Sequence, residues 1–378
     1  MRVCIVYDCL YPYTIGGAER WYRSLAEHLA ARGHEVTYLT RRQWDSAEEP
    51  DLDGVRVVAV SPGGGLYTPS GRRKLGPPLA FGAGVLEHLL RRTTYDIVHT
   101  ASFPYFSLLA AGAARRRGGF RIFVDWHEVW TKDYWREYLG PAGGRAGWQT
   151  QRACLRVPQR AFCFSRLHEE RLRASGLTDV TRLEGQYAGG LEASEPRSAE
   201  PVVVFAGRFI PEKNVVALIP AFALARERIP DLRLELYGDG PERPHVLRAI
   251  AAGGLGDVVS APGFVERHRV DDAIARALCL VLPSRREGYG LVVVEASARG
   301  VPAIVVQGPD NAAVELVEEG VNGTVARSGS GDELTAAIVR IHEGGGALRR
   351  STVQWFEQNA MRLSLASSLE KVLDAYAA

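Results

Sequence analysis

The chain has 378 residues, more than one hydrophobic core usually supports, so two domains are expected. Charged residues make up 24% of the sequence and the net charge is +2 at pH 7, which argues against a protein that binds nucleic acid over its surface. The five cysteines are scattered without C-x-x-C spacing, as in a reduced protein. Because the sequence shows neither a signal peptide nor an apolar run of membrane-spanning length, we expect a cytoplasmic protein.

The first half of the chain alternates short apolar runs with amphipathic segments. Residues 2–7 form a continuous β-branched run, which is typical of a parallel strand buried on both faces. Cys4, Cys163 and Cys279 lie in such runs and are predicted to be core residues. The alternation predicts βαβ units and a parallel sheet. The predicted strands are 2–7, 35–39, 55–60, 97–99 and 121–124, and the predicted helices are 18–32, 81–92 and 108–116.

The alternation stops at residues 189–201, a stretch rich in small residues, Pro and Glu that we interpret as a linker. After the linker the predicted strands are 202–206, 232–237, 258–261, 280–282 and 303–306, and the predicted helices are 215–228, 244–252, 269–276 and 291–299. A last helical segment, 351–378, lies outside both alternating sets. The sequence therefore predicts two doubly wound α/β domains that face each other across a cleft, with ligands beyond the carboxyl ends of the strands.

Two carboxylates, Glu287 and Glu295, flank the point where a predicted strand leads into a predicted helix. Gly288 and Gly290 fall at that junction, where exposed backbone amides can hold an anion. Glu295 follows Glu287 by a little over two helical turns and so projects to the same side. Alternatively, Glu287 could be a helix-capping acid and Glu295 an exposed helical acid, neither with a role in binding. Acids beside an anion-binding turn instead suit a ligand with both hydroxyls and phosphates, which is a sugar nucleotide.

Arg208 and Lys213 lie in the loop after the first strand of the second half, directly behind Gly207. Two cations at the carboxyl end of a strand suit a diphosphate, and Lys213 is one of only four lysines in a chain rich in arginine. Two solvated loop cations are the alternative. The next strand ends in Tyr-Gly-Asp-Gly, residues 237–240, which lacks the third glycine of a dinucleotide fingerprint and indicates a tight turn near a nucleotide.

Two loops of the first half also carry candidate site residues. Gly16 and Gly17 lie between the first strand and the first helix, where paired glycines allow close approach of a ligand, although a plain strand–helix turn would explain one of them. His127 and Glu128 follow another strand and are surrounded by aromatic residues, as in many sugar sites. A structural or merely exposed histidine is the alternative.

Together these motifs resemble the retaining glycosyltransferases of family 4, most strongly over residues 202–325. The resemblance implies the GT-B fold, with two facing Rossmann-like domains. Residues 1–190 would bind the acceptor and residues 200–354 the nucleotide sugar, while helix 355–378 would cross back onto the N-terminal domain.

The resemblance also assigns roles to the residues of the diphosphate site. Arg208 and Lys213 would bind the donor diphosphate and stabilise the charge that develops on it, and Gly207 would belong to the same site. Gly16 and Gly17 would cover the diphosphate from the other domain. No metal and no cofactor are expected, because the cationic loop would replace Mg²⁺.

The sugar and the ribose are assigned in the same way. Glu287 would hold sugar hydroxyls, His127 would contact the 6-hydroxyl near the anomeric carbon, and Glu295 would bind the ribose. The donor-binding backbone amides would be those of Gly288, Tyr289, Gly290 and Leu291. The implied catalytic residues are His127, Arg208, Lys213 and Glu287.

The activity implied is front-face transfer from a nucleoside-diphosphate sugar, UDP being favoured, to a hydroxyl acceptor, with no covalent nucleophile. Two positions depart from the family pattern: Asn214 replaces the Gly that often follows the loop lysine, and residues 307–315 lack the usual Gly-Gly pair. These departures bear on the specificity for the sugar or the base.

The acceptor and several rival functions stay open at this point. Loops 11–14, 61–74 and 131–138 are expected to handle the acceptor, which could be a small molecule, a glycan or a lipid-linked compound met at the membrane surface; no nucleic-acid partner is expected. The rivals are a nucleotide-sugar epimerase and a catalytically silent nucleotide-sugar-binding homologue. A phosphorylase is disfavoured because the C-terminal half offers only Lys213 and Lys371 as a pyridoxal lysine, and an oxidoreductase because the dinucleotide fingerprint is incomplete.

Overall fold

The computed structural model describes residues 1–45, 50–66, 74–91, 95–193 and 198–378. Parts of the predicted linker (194–197) and of the predicted acceptor loop 61–74 (67–73) lie outside the described residues. Among the described residues, contacts divide the chain into two compact units: the first runs to Leu183 and includes Ser368–Ala378, and the second is Glu184–Ser367.

The first unit contains a seven-stranded sheet in which every neighbouring pair is parallel, in the order β3-β2-β1-β4-β5-β6-β7. The central strands read as uninterrupted apolar runs because helices cover both faces. The strands are β1 (Arg2–Val6), β2 (Glu35–Arg41), β3 (Val55–Ser61), β4 (Ile97–Ala101), β5 (Arg121–Trp126), β6 (Arg160–Cys163) and β7 (Val180–Arg182).

The helices of the first unit are α1 (Gly17–Ala31), α2 (Gly76–Arg91), α3 (Tyr105–Gly118), α4 (Lys132–Leu155) and α5 (Arg166–Ala174). Helix α2 starts before the predicted position because prolines are tolerated in the first turn. Helix α4 begins at the cap Thr131, whose side chain accepts from the amide of Tyr134, and bends at Gly140, whose φ of 74° is left-handed. No elements are predicted from the sequence between residues 125 and 188, because glycines and clustered aromatics obscure the helical period of α4.

The second unit repeats this plan with a six-stranded parallel sheet of order β10-β9-β8-β11-β13-β15 and a separate pair, β12 with β14. Its strands are β8 (Val202–Ala206), β9 (Arg233–Tyr237), β10 (Val259–Gly263), β11 (Cys279–Leu282), β12 (Arg286–Glu287), β13 (Ala303–Val306), β14 (Asp310–Asn311) and β15 (Gly323–Ala326). Its helices are α6 (Val215–Arg228), α7 (Arg243–Ala252), α8 (Arg267–Arg276), α9 (Leu291–Ser297) and α10 (Gly331–Leu363), followed by α11 (Leu365–Ala377). The prediction of two doubly wound α/β units is thus confirmed.

The C-terminal segment differs from the single helix predicted over 351–378. Helix α10 ends at Leu363, Ser364 is extended at φ −71° and ψ 142°, and α11 begins at Leu365. The break has a physical cause: Tyr187 donates its amide to the Leu363 carbonyl and accepts from the amide of Leu365. Tyr187, Leu363 and Leu365 all belong to the second unit, whose boundaries are Glu184 and Ser367.

In each sheet, the strand order reverses beside a central strand. Strand β1 lies between β2 and β4, and β8 lies between β9 and β11. At such a switch point the loops that leave the two neighbouring strands diverge and leave a crevice at the carboxyl edge. The loops after β1, β8 and β11 carry most of the predicted site residues.

Candidate functional site

The loop after β8 presents the predicted cations. Arg208 has an exposed side chain, and Lys213 ends a short 3-10 helix, Pro211–Lys213. The ammonium of Lys213 donates to Glu287 Oε2, and the hydroxyl of Ser284 lies 3.4 Å from the same oxygen. The structure therefore brings Lys213 and Glu287 together. Only 16% of the Lys213 side chain and 14% of the Glu287 side chain are exposed. Loss of one partner would therefore leave the other charge largely buried and unpaired, which costs more than losing an ion pair at a solvated surface.

Asn214, the first departure from the family pattern, adopts the left-handed conformation with φ 51°. This region favours glycine, and asparagine is among the few other residues that tolerate it. The substitution of Asn for Gly is therefore compatible with the same backbone turn between the 3-10 helix and α6.

Glu287 lies on the two-residue strand β12, which pairs with β14. Asn311 on β14 donates from Nδ2 to the carbonyls of Ser284 and Val306, at 2.9 and 2.8 Å. The amide of Arg285 donates to the Glu212 carbonyl at 2.8 Å, which ties this segment to the cationic loop. The second departure, residues 307–315, thus supports the loop that carries Glu287.

Gly290 is the N-cap of α9 and has φ 98°. A Cβ at this position would lie 2.7 Å from the Ala313 Cβ, so both the backbone angle and the space require glycine. Tyr289 beside it is buried and its hydroxyl donates to the Glu184 carbonyl at 2.6 Å, which leaves only its backbone for the predicted donor contact. The predicted roles of the Gly288 to Leu291 amides stay predictions.

Glu295 projects from α9 into an ion pair that the sequence analysis did not anticipate. Nη2 of Arg267, the first residue of α8, donates to Glu295 Oε1 at 2.7 Å. Burial alone would lower the pKa of Arg267, but the carboxylates of Glu295 and Asp271 raise it. Arg267 follows β10 at the carboxyl edge of the sheet, and that position was the available signal for a site residue.

The glycines of the Tyr-Gly-Asp-Gly segment support the cationic loop. Gly238 has φ 133° and Gly240 has φ 155°; a Cβ on them would lie 1.9 Å from the Gly207 carbonyl oxygen and 2.4 Å from that of Phe209. The amide of Gly207 donates to Tyr237, and that of Phe209 donates to Asp239, at 2.9 and 2.8 Å. These glycines allow close packing beneath Arg208, which is a different use from a dinucleotide fingerprint.

In the first unit, Gly16 and Gly17 begin α1 after β1. Gly16 is extended, with φ −173°, and the atoms nearest to a Cβ there would be those of the Glu19 carboxylate, the end of a flexible side chain. The backbone angle therefore does not require glycine at position 16, and the predicted close approach of a ligand stays a prediction.

His127 lies just after β5 in an aromatic setting. Its ring stacks on Phe164 with centroids 4.8 Å apart and makes a T-shaped contact with the Tyr22 ring at 6.0 Å. Burial lowers the pKa of the imidazole, against the opposing effects of the Asp125 and Glu128 carboxylates. The Nε2 atom is buried and has no hydrogen-bond partner among the described residues. A neutral imidazole with an open nitrogen suits a hydroxyl ligand.

Beside His127 lies a buried polar cluster that the sequence analysis missed. Asp125 is fully buried; the indole Nε1 of Trp21 donates to its Oδ2 at 2.7 Å, and His99 Nε2 lies 2.9 Å from its Oδ1. Burial alone would raise the pKa of Asp125, but the favourable interaction with His99 holds it below its usual range. A lone acid inside an apolar strand was the signal in the sequence.

An aromatic cluster surrounds Trp130, just before α4. The segment 131–138, predicted as an acceptor loop, instead forms the N-cap and first turns of α4, which carry Tyr134 and Tyr138. The rings of Tyr134 and Tyr138 lie 4.8 and 5.2 Å from that of Trp130. The buried side chain of Gln151 holds the Trp130 backbone from both sides, accepting from its amide at 3.2 Å and donating to its carbonyl at 2.9 Å. The cluster is therefore held in a fixed orientation at the carboxyl edge of the first sheet.

Two protein families match the chain, and between them they span most of it. The family "Glycosyl transferase 4-like domain" matches residues 16–183, and "Glycosyl transferases group 1" matches residues 191–355. The chain belongs to the family 4 type glycosyltransferases. The resemblance seen in the sequence motifs is thereby confirmed at the level of the family.

Individual relatives and solved structures agree with this membership. The alpha-D-kanosaminyltransferase of Streptomyces kanamyceticus is 30% identical over 199 residues, which are 53% of this chain and 50% of that protein, so the match spans about half of the relative's length. Sucrose-phosphate synthase of Thermosynechococcus elongatus superposes with a TM-score of 0.84 at 20% identity, covering 100% of this chain and 98% of that one. Anabaena HepE in complex with UDP gives 0.75 at 18% identity, with both chains fully covered at 100%. Such similarity shows the fold, which is the GT-B fold that the motifs implied.

Two further observations concern the described residues alone. None of their helices combines the length and the hydrophobicity that a membrane span needs. No three of their His, Cys, Asp or Glu side chains form a group that could hold a metal ion, and metal independence itself stays a prediction.

Gly238→Ala provides a test of the packing beneath Arg208. The added Cβ would overlap the Gly207 carbonyl and occupy a glycine-favouring backbone angle, so we expect the free energy of unfolding to fall by about 1–3 kcal/mol. Gly256→Ala is the matched control, because its Cβ would meet nothing within 4 Å. Equal urea midpoints for the two variants would contradict the packing role of Gly238.

His127 should titrate below the ordinary histidine value of about 6.5. Histidine NMR, assigned with a His127→Gln variant, should show this, and Asp125→Asn should lower the pKa further by removing an anion that favours the imidazolium. Because the unfolded chain then binds the proton more readily, the contribution of His127 to stability is present above about pH 6.5 and is lost as the pH falls towards its folded pKa. A pKa at or above 6.5 in the native protein would refute this environment.

Proposed function

We propose that this chain is a retaining glycosyltransferase that moves a sugar from a nucleoside-diphosphate sugar, UDP-linked in the first instance, to a hydroxyl acceptor. The observation that carries the proposal is the pairing of Lys213 with Glu287 where the loops after β8 and β11 meet at the carboxyl edge of the second sheet. The Lys213 ammonium suits a phosphate, and the Glu287 carboxylate suits sugar hydroxyls. The UDP in the structure of Anabaena HepE, a protein of the same fold, supports UDP as the first nucleotide to test.

The second unit is the proposed donor-binding domain. Arg208 and Lys213 would take the diphosphate, and their positive charge would stabilise the negative charge that develops on it as the glycosidic bond breaks. Glu287 would then accept hydrogen bonds from sugar hydroxyls, with Gly207 and the backbone of residues 288–291 completing the site. Arg208 is exposed, and Lys213, with 16% of its side chain exposed, would be reached by exchange with Glu287.

Glu295 would bind the ribose hydroxyls, and its ion pair with Arg267 affects how it would do so. A carboxylate has two oxygens and about four acceptor positions. Arg267 donates to Oε1 and so fixes the orientation of the carboxylate that would accept from the ribose hydroxyls. We therefore add Arg267 to the donor site as the partner of Glu295.

The first unit would bind the acceptor and help to hold the donor. Gly16 and Gly17 would cover the diphosphate, and neutral His127 would contact the 6-hydroxyl of the sugar. The aromatic cluster of Trp130, Tyr134 and Tyr138 would pack against a ring of the acceptor. Its fixed orientation through Gln151 lowers the entropic cost of binding such a ring.

The proposed chemistry needs no covalent nucleophile. The acceptor hydroxyl attacks the anomeric carbon on the face that the diphosphate leaves, through an oxocarbenium-like state, and the departing diphosphate accepts the hydroxyl proton. The protein would contribute alignment and electrostatic support of the leaving group, without a metal ion.

Nucleotide binding is the first experiment. UDP, GDP, ADP and dTDP, each with and without its common sugars, are compared by the melting temperature of the full chain, and a dose-dependent rise with one nucleotide identifies the donor.

Transfer to an acceptor panel is then measured with and without EDTA, and NMR of the product reports the anomeric configuration. Retention, and turnover that survives EDTA, are expected. Turnover of the donor without any acceptor would favour the epimerase, and binding without turnover would favour the silent homologue.

Arg208→Ala and Lys213→Ala should each lower kcat by about 10²–10³-fold, because each removes one preorganised contact with the leaving group. Arg228→Ala, which removes an exposed arginine at the end of α6, is the matched control and should leave kcat unchanged. Circular dichroism should show that all three variants are folded. Normal rates in Arg208→Ala and Lys213→Ala would remove the diphosphate assignment.

A further inference from the structure

Two helices and one strand of the first unit contribute to a buried cluster at Asp125, which lies on β5 two residues before His127. Trp21 comes from α1, His99 from β4, and Tyr376 from the C-terminal helix α11. The Tyr376 hydroxyl lies 2.6 Å from His99 Nδ1, although the two residues are 277 positions apart in sequence. His99 Nε2 lies 2.9 Å from Asp125 Oδ1. The contacts therefore form a chain from the C-terminal helix to the strand that carries His127.

The donors and acceptors of these groups are complementary, with His99 Nε2 and Asp125 Oδ1 in ion-pair contact at 2.9 Å rather than in a well-angled hydrogen bond. Asp125 is an anion that accepts from the Trp21 indole, and burial raises the pKa of Tyr376, so its hydroxyl stays protonated and can donate. With the Tyr376 hydroxyl donating to Nδ1, the His99 ring carries its proton on Nε2, next to the carboxylate. His99, Asp125 and Tyr376 are all 0% exposed, so water cannot replace a lost partner.

The cluster touches the candidate site through Tyr22. The Tyr22 ring makes T-shaped contacts with His99 at 6.2 Å and with His127 at 6.0 Å, so it lies against both imidazoles. Asp125 is also connected to His127 by only one intervening residue of the same chain. A rotation of His99 or a shift of Asp125 must therefore be accommodated by the residues that hold His127.

We propose that Tyr376, His99 and Asp125 are positioning residues that orient His127, so that the returning C-terminal helix completes the sugar-binding side of the first unit. This inference rests on the proposed function for its catalytic consequence. The geometric part, the dependence of the His127 orientation on the Tyr376 hydroxyl, stands on the contacts alone.

Helix α11 has other anchors, which allow the hydroxyl to be tested by itself. Arg121 donates to the Tyr376 carbonyl and Arg160 to the Ala375 carbonyl, the latter at 2.8 Å. The Tyr376 ring also packs on Phe123 with centroids 4.7 Å apart. Tyr376→Phe keeps these contacts and removes only the hydrogen bond to His99, so the helix should stay docked.

The same unit offers a matched control. The Tyr95 hydroxyl lies 2.8 Å from Nε2 of His88, a tyrosine–histidine contact that involves neither Asp125 nor His127. Tyr95→Phe therefore removes a tyrosine–histidine hydrogen bond at another place, together with the contact of the same hydroxyl with Cys4. If the contact of Tyr376 only anchored structure, the two variants would behave alike.

The experiment compares wild type, Tyr376→Phe and Tyr95→Phe by three measurements: melting temperature, the kcat and KM of sugar transfer, and the NMR signals of the His127 ring. We expect Tyr376→Phe to shift the His127 signals and to lower kcat on the order of tenfold to a hundredfold, because small displacements of an aligning group are costly. Tyr95→Phe should leave both unchanged. In a His127→Ala background, Tyr376→Phe should have little further effect on kcat, since the two substitutions would act through one group.

The inference is overturned if Tyr376→Phe and Tyr95→Phe give the same kcat and the same His127 signals, or if the effect of Tyr376→Phe persists in full without His127. Its failure is distinct from failure of the proposed function, which would appear as a wild-type protein that neither binds nor turns over any nucleotide sugar. In that case the His127 signals alone decide: a shift in Tyr376→Phe supports the positioning geometry, and unchanged signals refute it.

Discussion

An ion pair between Lys213 and Glu287 joins the loops after β8 and β11 and sets the geometry where those two loops meet. The two strands are neighbours, with Cys279 opposite Val203, so their loops emerge side by side at the carboxyl edge. Each charge lies in a half-buried place where it would be costly without the other. The hydrogen bond from the Arg285 amide to the Glu212 carbonyl fixes the same junction through the backbone. The site is therefore preformed and nearly neutral before any ligand enters.

The pairing has a consequence for the proposed donor. A diphosphate that reaches Lys213 competes with Glu287 for the ammonium, and Glu287 then needs new donors, which sugar hydroxyls provide. Recognition of the phosphate and of the sugar would be coupled through one exchange of partners. Arg267 and Glu295 form a second ion pair at the same edge. The group proposed to bind there is the ribose, whereas the group proposed to bind Glu287 is the sugar. A phosphate ligand without hydroxyls would displace Lys213 from Glu287 and leave that acid without a donor, so the proposed exchange favours a ligand that carries both groups.

The sequence was sufficient for the fold class and for the motifs that meet at the edge of the second sheet. Continuous apolar runs identify buried parallel strands, and glycines mark turns such as Gly290, because both signals are local. Long-range pairings were not predictable in this way: nothing near Arg267 or His99 in the sequence indicates Glu295 or Tyr376 as a partner. The break at Ser364 was missed for the same reason, since it is caused by Tyr187. The opposite error is possible at Gly238 and Gly240, where a local pattern resembles part of a nucleotide motif. In the structure these glycines are needed because a Cβ would overlap the carbonyl oxygens of Gly207 and Phe209.

The two units stabilise their candidate site residues by different physical means. In the second unit, charged side chains at partly solvated loops pair with each other and remain able to exchange partners with a ligand. In the first unit, the groups around Asp125 are fully buried and their hydrogen bonds have no competitor, so they set geometry rather than bind. His127 combines features of both units. Its ring is uncharged and stacked on Phe164, and its Nε2 atom, which has no hydrogen-bond partner among the described residues, can bind a ligand. A sugar hydroxyl presents little charge and demands direction, so a rigidly held neutral imidazole is the better partner for it, whereas the diphosphate presents charge and tolerates mobile cations.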